Sequence, residues 1–428
     1  MSNKKFNNKK YFPADTLFVG IDMAKKDCYA VGLTSRGESI SSIYKFNITM
    51  DSLEKFIAKI EKWKNDFNCG QIVIGLEPTG SFCYPVEKFL EQNNYEVKYV
   101  NPMHVKRTKE MYDNCPSKND RKDAFLIARL LDEGKFLQKV KRTPEYESLK
   151  ILVEEREFFL NQSVALKNHL ISQLSCYFPE YSKLFSDLTG KACVKLLKTA
   201  PLPEDILKLG QEKLTKLLHE SSKGCVGAEK AAQLIEAAQI SLSCICDSDS
   251  VRFILKINIK ELVRLNSIVT SFEEKMNKIL ETLEEYNFLK TIPRAGIVSI
   301  SALLGYSGGL NNFKNTRELL KYLGMNTYEI SSGVHKGKRK LSKRGPSIVR
   351  AKFYLLACNN LTSPKSIYSK IFNDMKSAGK ESMVILVAFA CKFIKIAYAV
   401  VKNKTEYNES LVWGKAEKTS PSIKRGAA

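Results

Sequence analysis

The chain is predicted to fold as an α/β domain with a mixed sheet, followed by an α-helical coiled-coil region and a mostly α-helical C-terminal domain. Three observations predict this. Apolar runs of strand length fill residues 15–143, and two of them end in a carboxylate. Heptad spacing takes over from Glu147. The last third joins helix-length apolar stretches to one strongly basic run.

Residues 1–14 are polar and lysine-rich, and are expected to form a disordered basic arm. Leu17-Phe18-Val19-Gly20-Ile21-Asp22 is the first strand, Cys28 to Thr34 the second, and Ile43 to Ile48 the third. They lie close enough for antiparallel hairpins. Asp51 to Trp63 places Leu53, Phe56, Ile57, Ile60 and Trp63 on one side of a helix. Gln71 to Glu77 is a fourth strand, stopped by Pro78-Thr79-Gly80. A helix from about Tyr84 to Gln92, a strand from Val97 to Val100 and a helix from Asp120 to about Leu131 complete a β-β-β-α-β-α-β-α order. In such a sheet the first and fourth strands are parallel neighbours, so Asp22 and Glu77 fall side by side at their C-terminal ends.

From residue 144 to 290 the pattern is helical. Leu149, Leu152, Arg156, Phe159, Ser163, Leu166 and Leu170 step by threes and fours, as do Leu262, Leu265, Val269, Phe272, Met276, Ile279, Leu283 and Tyr286. Two such runs predict an antiparallel helical pair or a coiled coil between subunits, a coiled coil being favoured over an ordinary bundle helix. Residues 176–251 between them form an inserted helical subdomain punctuated by Pro179, Pro201 and Pro203. Residues 291–402 make the C-terminal domain, where Thr291-Ile292-Pro293-Arg294-Ala295-Gly296 is a tight turn between helices. Residues 403–428 are a basic tail, expected to be disordered.

Composition narrows the function classes. Lys and Arg number 68 against 46 Asp and Glu, a net charge of +22 distributed along the chain. Such a charge attracts polyanions, nucleic acid foremost. Eleven cysteines show no C-x-x-C spacing, and four histidines supply no zinc pattern, which points to a reducing cytoplasm. Met1 to Lys10 is polar and lysine-rich with no apolar run behind it, so a signal peptide is not expected there. Met383 to Val401 is apolar but interrupted by Lys392 and Lys395, which favours a buried helix over a membrane span.

Four acids stand out: Asp22, Glu77, Asp120 and Asp123. The last two lie three apart and so share one face of their helix. An isolated aspartate pair in a first turn is ordinarily explained by the helix dipole. Four converging acids repel one another, and a hard divalent cation relieves that repulsion. Mg²⁺ suits such oxygens, with Mn²⁺ as a substitute, and two ions bound between such carboxylates can orient and activate an attacking oxygen on a phosphodiester. Lys118, Arg121 and Lys122 are interleaved for phosphate contact. His335 to Lys352 holds eight Lys or Arg and no acid, among them Lys336, Lys338, Arg339, Lys340, Lys343, Arg344 and Arg350. Tyr84, Tyr112, Phe313 and Tyr328 lie near these motifs; such aromatics can stack on bases, though core packing is the commoner role.

Gly20-Ile21-Asp22-Met23-Ala24-Lys25, Glu77-Pro78-Thr79-Gly80 and Lys118-Asn119-Asp120-Arg121-Lys122-Asp123-Ala124 together resemble the DEDD transposases of bacterial insertion sequences. The resemblance continues through Thr291-Ile292-Pro293, Gly296, Phe313, Leu320 to Gly324, Ser332-Gly333, Ser342-Lys343-Arg344-Gly345 and Arg350. It implies an RNase H-like N-terminal domain, similar to Holliday-junction resolvases, with Mg²⁺ held by Asp22, Glu77, Asp120 and Asp123. It implies a nucleophilic serine, matched by Ser332, that forms a covalent phosphoserine link to DNA. Ser331, Ser342 and Ser347 are alternative positions. It further implies a structured noncoding guide RNA that pairs with donor and target DNA. The homo-oligomer, a dimer or tetramer, would combine one subunit's carboxylates with another's serine, in a bacterial cytoplasm and on the nucleoid when active. Arg294 departs from the family, replacing a turn glycine with a basic side chain suited to phosphate. Pro346 replaces a polar residue, and the 176–251 segment is long. Two other readings remain: a metal-dependent junction or flap endonuclease using water, and a catalytically inert nucleic-acid-binding relative.

Overall fold

A computed structural model describes residues 12–35, 37–40, 42–78, 82–113, 120–137, 139–185, 187–242, 247–329, 331–332, 335–337, 339–361 and 366–413. The chain divides into two compact units, residues 1–140 and 141–428.

The first unit is a six-stranded mixed sheet. Its strands are β1 (Thr16–Asp22), β2 (Asp27–Thr34), β3 (Tyr44–Asn47), β4 (Gln71–Leu76), β5 (Glu96–Val100) and β6 (Phe136–Leu137), in the order β3-β2-β1-β4-β5-β6. β1, β4 and β5 are parallel, while β2, β3 and β6 run antiparallel to their neighbours. Helices α1 (Met50–Asp66), α2 (Cys83–Gln92), α3 (Pro102–Asp113) and α4 (Asp120–Asp132) complete the unit. Two elements go beyond the predicted order. α3 escapes the periodicity because, among the described residues, its hydrophobic burial rests on Val105, and β6 is only two residues long.

The sheet's alternation sorts its side chains between two cores. Leu17, Val19 and Ile21 of β1, with Ile72, Ile74 and Leu76 of β4, pack against Phe56, Ile60 and Trp63 of α1 and Val86 and Leu90 of α2. Phe18 and Val73 face the opposite way, against Leu126, Ile127, Leu130 and Leu131 of α4. Each fully buried Leu or Ile stabilises the fold by roughly 1.5–3 kcal/mol. Phe12 packs on Phe18 and Phe136. The end of the segment expected to be a disordered arm is therefore packed on the sheet; residues 1–11 lie outside the described residues.

The second unit is mostly helical. α5 (Pro144–Tyr177) is followed by α6 (Tyr181–Leu184), α7 (Lys191–Thr199), α8 (Pro203–Ser222), α9 (Ala228–Ile240) and α10 (Ser248–Leu280). Arg156 meets Glu273, Ser163 meets Asn266 and Gln173 meets Asn258, so α5 and α10 run antiparallel within one chain. α10 stops at Leu280 and Leu283 precedes the next helix, so the predicted unbroken heptad run to Tyr286 is corrected. Leu283 keeps the spacing, but the backbone has already left the helix. The helices of the 176–251 segment share one core with Leu170 and Leu174 of α5 and Leu255, Ile259 and Leu262 of α10.

α11 (Glu284–Leu289), α12 (Ile297–Ser307), α13 (Thr316–Tyr322), α14 (Ser347–Leu361), α15 (Ile367–Ser377), α16 (Ser382–Asn403) and α17 (Glu409–Trp413) complete the unit. Between α13 and α14 lie four two-residue strands: β7 (Thr327–Tyr328), β8 (Ser331–Ser332), β9 (His335–Lys336) and β10 (Lys340–Leu341). α16 is long and apolar enough to cross a membrane by length and composition alone. Its Ile385, Phe389, Phe393, Ile394 and Ala397 are buried in this unit, as expected of a core helix. The tail is ordered further than expected. Tyr407 bonds to the Tyr368 hydroxyl through its own and donates its N–H to Thr291 Oγ1 at 2.9 Å.

Candidate functional site

Two parallel strands set the first group of acids. Ile21 pairs with Leu76 in the last register position of β1 and β4, and the next residues are Asp22 and Glu77. Pleat alternation sends residues 18, 20 and 22, and 73, 75 and 77, toward α4. The carboxylates of Asp22 and Glu77 thus share the α4 side of the sheet.

Two glycines let α4 lie down on that side. Gly20 and Gly75 are register partners. A β-carbon on Gly20 would stand 2.1 Å from the Ala124 carbonyl oxygen and 2.4 Å from the Ala128 nitrogen. One on Gly75 would stand 2.6 Å from Leu131 and 2.9 Å from Ile127. At Gly20, where the neighbour is the α4 backbone itself, only glycine permits an approach this close; at Gly75 a side chain would press on the side chains of Leu131 and Ile127. Gly20-Ile21-Asp22 and Gly75-Leu76-Glu77 are therefore one device used twice: a glycine that seats α4 and, two residues on, an acid presented beside it. That Gly-apolar-acid repeat is the sequence signal that reveals the platform.

α4 begins at Asp120 and carries Asp123 next to the Ala124 that covers Gly20. The acids sense one another. Burial, then the charges of Asp22 and Asp123, raise Glu77 above the ordinary glutamate pKa, while Lys109 works to lower it. Lys109 on α3 places Nζ 2.9 and 3.0 Å from the two carboxylate oxygens of Asp123. Sequence reasoning missed Lys109, because among Lys106 and Arg107 it looks like part of a solvated face. On the other face of the sheet, buried Glu87 accepts a hydrogen bond from Tyr99 and pairs with Lys139, bracing α2 against β5. The side chains of Asp120 and Arg121, and all of Lys118, lie outside the described residues; Lys122 is half-buried.

Among the described residues no three His, Cys, Asp or Glu side chains form a group ready to hold a metal ion. The donor chemistry nonetheless suits one. Asp22, Glu77 and Asp123 offer hard oxygens, and Glu77 bears the electrostatic cost of its acidic neighbours.

The second group of predicted residues lies in the other unit. Ser331 and Ser332 form β8, paired with β9 so that Ser332 faces His335 and Ser331 faces Lys336. Ser332 is thus the last residue of β8; its side chain, those of Ser331 and Lys336, and all of Lys338 lie outside the described residues. Ser342 donates its N–H to the Asn326 carbonyl at 2.8 Å, and Ser347 opens α14. Two backbones cross tightly below these strands. A β-carbon on Gly345 would come within 2.4 Å of the Tyr322 carbonyl oxygen, and one on Gly324 within 2.8 Å of Arg344. Arg350 ties the crossing, donating from Nη1 to the carbonyls of Leu323 at 3.2 Å and Gly345 at 2.6 Å.

Of the predicted phosphate contacts, Arg294, Lys340, Lys343 and Arg344 are exposed, and Arg339 pairs with Glu329 at 3.2 Å. Arg294 takes a left-handed φ of 58°, so the turn keeps its glycine-type geometry without the glycine. Buried Asn360 donates to the Pro293 carbonyl at 3.1 Å and holds that turn. Tyr84 and Tyr328 are 53% and 44% exposed, whereas Phe313 is core; the side chain of Tyr112 lies outside the described residues.

Known proteins match both groups. A family model described as a transposase, of the IS110 DEDD type, matches residues 19–179, and one described as "Transposase IS116/IS110/IS902 family" matches residues 286–369. An uncharacterised protein of insertion element IS116 from Streptomyces clavuligerus is 21% identical over 394 residues, covering 91% of this chain and 96% of its own. The transposase for insertion sequence element IS1111A of Coxiella burnetii is 20% identical over 408 residues, 94% of each chain. A pilin gene-inverting protein of Moraxella lacunata is 22% identical over 148 residues, 33% of this chain and 46% of its own.

Proposed function

The chain belongs to the IS116/IS110/IS902 family of transposases, and we propose that it cuts and rejoins DNA through a divalent-cation carboxylate site and a serine nucleophile, guided by RNA. The observation that most supports this is the placement of Asp22, Glu77 and Asp123 on one side of the sheet, with Glu77 raised by burial and by its two acidic neighbours. Asp120, one helical turn before Asp123, is the fourth proposed ligand. The first unit is proposed to be RNase H-like.

Mg²⁺, or Mn²⁺ in its place, would supply charge neutralisation and polarisation of a DNA phosphate oxygen when bound. The chain's own residues do the rest. Asp22, Glu77, Asp120 and Asp123 hold and orient the cation. Exposed Arg294, Lys340, Lys343 and Arg344 grip the DNA backbone by charge. The Ser332 hydroxyl attacks phosphorus: its O–P bond forms as a sugar O–P bond breaks, the serine gives up its proton and the departing sugar oxygen gains one. Attack of another strand's hydroxyl reverses the step and joins the new strands. A serine is a weak nucleophile on its own, and the basic segment from His335 to Lys352 supplies the positive field it needs.

A structured noncoding RNA would choose donor and target by base pairing, with the protein recognising mainly its shape and backbone. The basic net charge supports such a partner, and the family resemblance supplies the idea of guidance. The working form is proposed to be a homo-oligomer, with the α5–α10 pair contributing coiled-coil contacts.

The test is a protein–DNA adduct stable to detergent, formed with DNA carrying the insertion ends and the RNA transcribed from the flanking segment. Ser332→Ala and Asp123→Ala are each expected to lower adduct yield by at least a hundredfold. Full strand cleavage by Ser332→Ala, with no adduct in the wild type, favours the water-using endonuclease instead.

A further inference from the structure

Among the described residues, Lys109 is a charged group at the acid cluster to which the mechanism gives no task. Its ammonium meets both oxygens of Asp123, and the two side chains are only 17% and 18% exposed. We propose that Lys109 is a counter-ion latch: it holds Asp123 while no cation is bound, releases it when a divalent cation enters, and then pairs with a DNA phosphate oxygen. This inference rests on the carboxylate reading above.

Three arguments lead to it. An ammonium lying across both oxygens occupies the positions a cation would take, and two positive centres at one poorly solvated carboxylate repel strongly. The pair therefore competes with the cation. A released ammonium that stays half-buried and unpaired is costly, so release is easiest when another anion is at hand. The anion this protein brings to its acids is the DNA backbone. Phosphate arrival then favours Lys109 leaving, and Lys109 leaving favours cation entry. By linkage, DNA must raise cation affinity by the factor by which the cation raises DNA affinity. Such a latch keeps the site unloaded until DNA is present. The same pair also ties α3 to α4, so the test must separate a latch from a strut.

The measurement is Mn²⁺ titration of the full-length protein, read from the electron paramagnetic resonance of free Mn²⁺, with and without a four-way DNA junction. In the wild type, DNA is expected to tighten Mn²⁺ binding about tenfold, within the usual span of coupling between sites. Lys109→Met is expected to bind Mn²⁺ about tenfold more tightly without DNA and to gain less than about twofold from it. Lys109→Arg, which keeps the charge, should retain the weak DNA-free affinity. Melting adds a second readout: saturating Mn²⁺ should restore the lost stability of Lys109→Met, whereas loss of a strut would persist. If Lys109→Met binds Mn²⁺ no more tightly than the wild type while Glu77→Gln loses binding, the latch falls and the carboxylate site stands. Wild-type Mn²⁺ affinity in Glu77→Gln overturns both.

Discussion

The acid-bearing unit and the serine-bearing unit position their key residues in opposite ways. Asp22, Glu77 and Asp123 stand on long, buried elements: two central parallel strands and a helix seated on their glycines. Ser332 stands at the end of a two-residue strand, in a segment whose local anchor is the backbone crossing of Gly324 and Gly345, fastened by Arg350. Mutually repelling carboxylates need a rigid frame to stay together. The proposed nucleophile sits instead in a segment of short strands and many basic residues. The two halves of the proposed chemistry thus make different demands on the fold.

Paired glycine substitutions should break this contrast most sharply. Gly20→Ala drives a β-carbon into the backbone of α4 and should cost about 1–3 kcal/mol, with loss of Mn²⁺ binding by the acids. Gly345→Ala strikes the Tyr322 backbone and should cost a similar amount, yet leave Mn²⁺ binding intact while adduct formation fails. Denaturant melts together with Mn²⁺ titrations check both. If both variants lose Mn²⁺ alike, the independence of the two frames is wrong.

A smaller effect concerns pH. Burial, then Asp22 and Asp123, raise Glu77, so the native state keeps this proton to higher pH than the unfolded chain does. Its contribution to stability is full below the unfolded value, about 4.3, and is lost as pH rises through the raised native value. Metal-free Glu77→Gln should therefore melt above the wild type at neutral pH, with the gap closing as pH falls toward 4. Wild-type Mn²⁺ affinity should climb with pH over the same window.

The smallest effect separates charge from backbone strain. Arg294→Gly relieves a left-handed φ but gives the unfolded chain more freedom. Stability should change by less than about 1 kcal/mol. DNA affinity should weaken, with a salt dependence shallower by about one counter-ion. An unchanged salt dependence would remove Arg294 from the DNA contacts.

Much of the sheet was legible because its signals are local. Period-two apolar runs gave the strands, and a carboxylate following each central run marked the end where the acids gather. The helix α3 was hidden because its mostly polar, basic sequence buries, among the described residues, little hydrophobic surface beyond Val105. Lys109 was hidden for a related reason: its meaning lies in Asp123, fourteen residues away, and no periodicity encodes an ion pair across two helices. Leu283 misled in the other direction, extending a heptad pattern past the end of α10. The order of residues 404–413 depends on long-range bonds of Tyr407 to Tyr368 and Thr291, which a polar, basic tail does not advertise. Proximity of Asp22 to Glu77 could be reasoned from topology; the Gly-apolar-acid repeat was there to be read, but its meaning as a seat for α4 emerges only from the fold.

Anomalous diffraction from crystals of the full-length protein soaked in Mn²⁺ tests the central claim most directly. The account predicts a Mn²⁺ peak within ligand distance of Asp22, Glu77 and Asp123, with the Lys109 ammonium drawn away from Asp123. Mn²⁺ bound elsewhere, with Lys109 still across both oxygens of Asp123 and those acids bare, would contradict it.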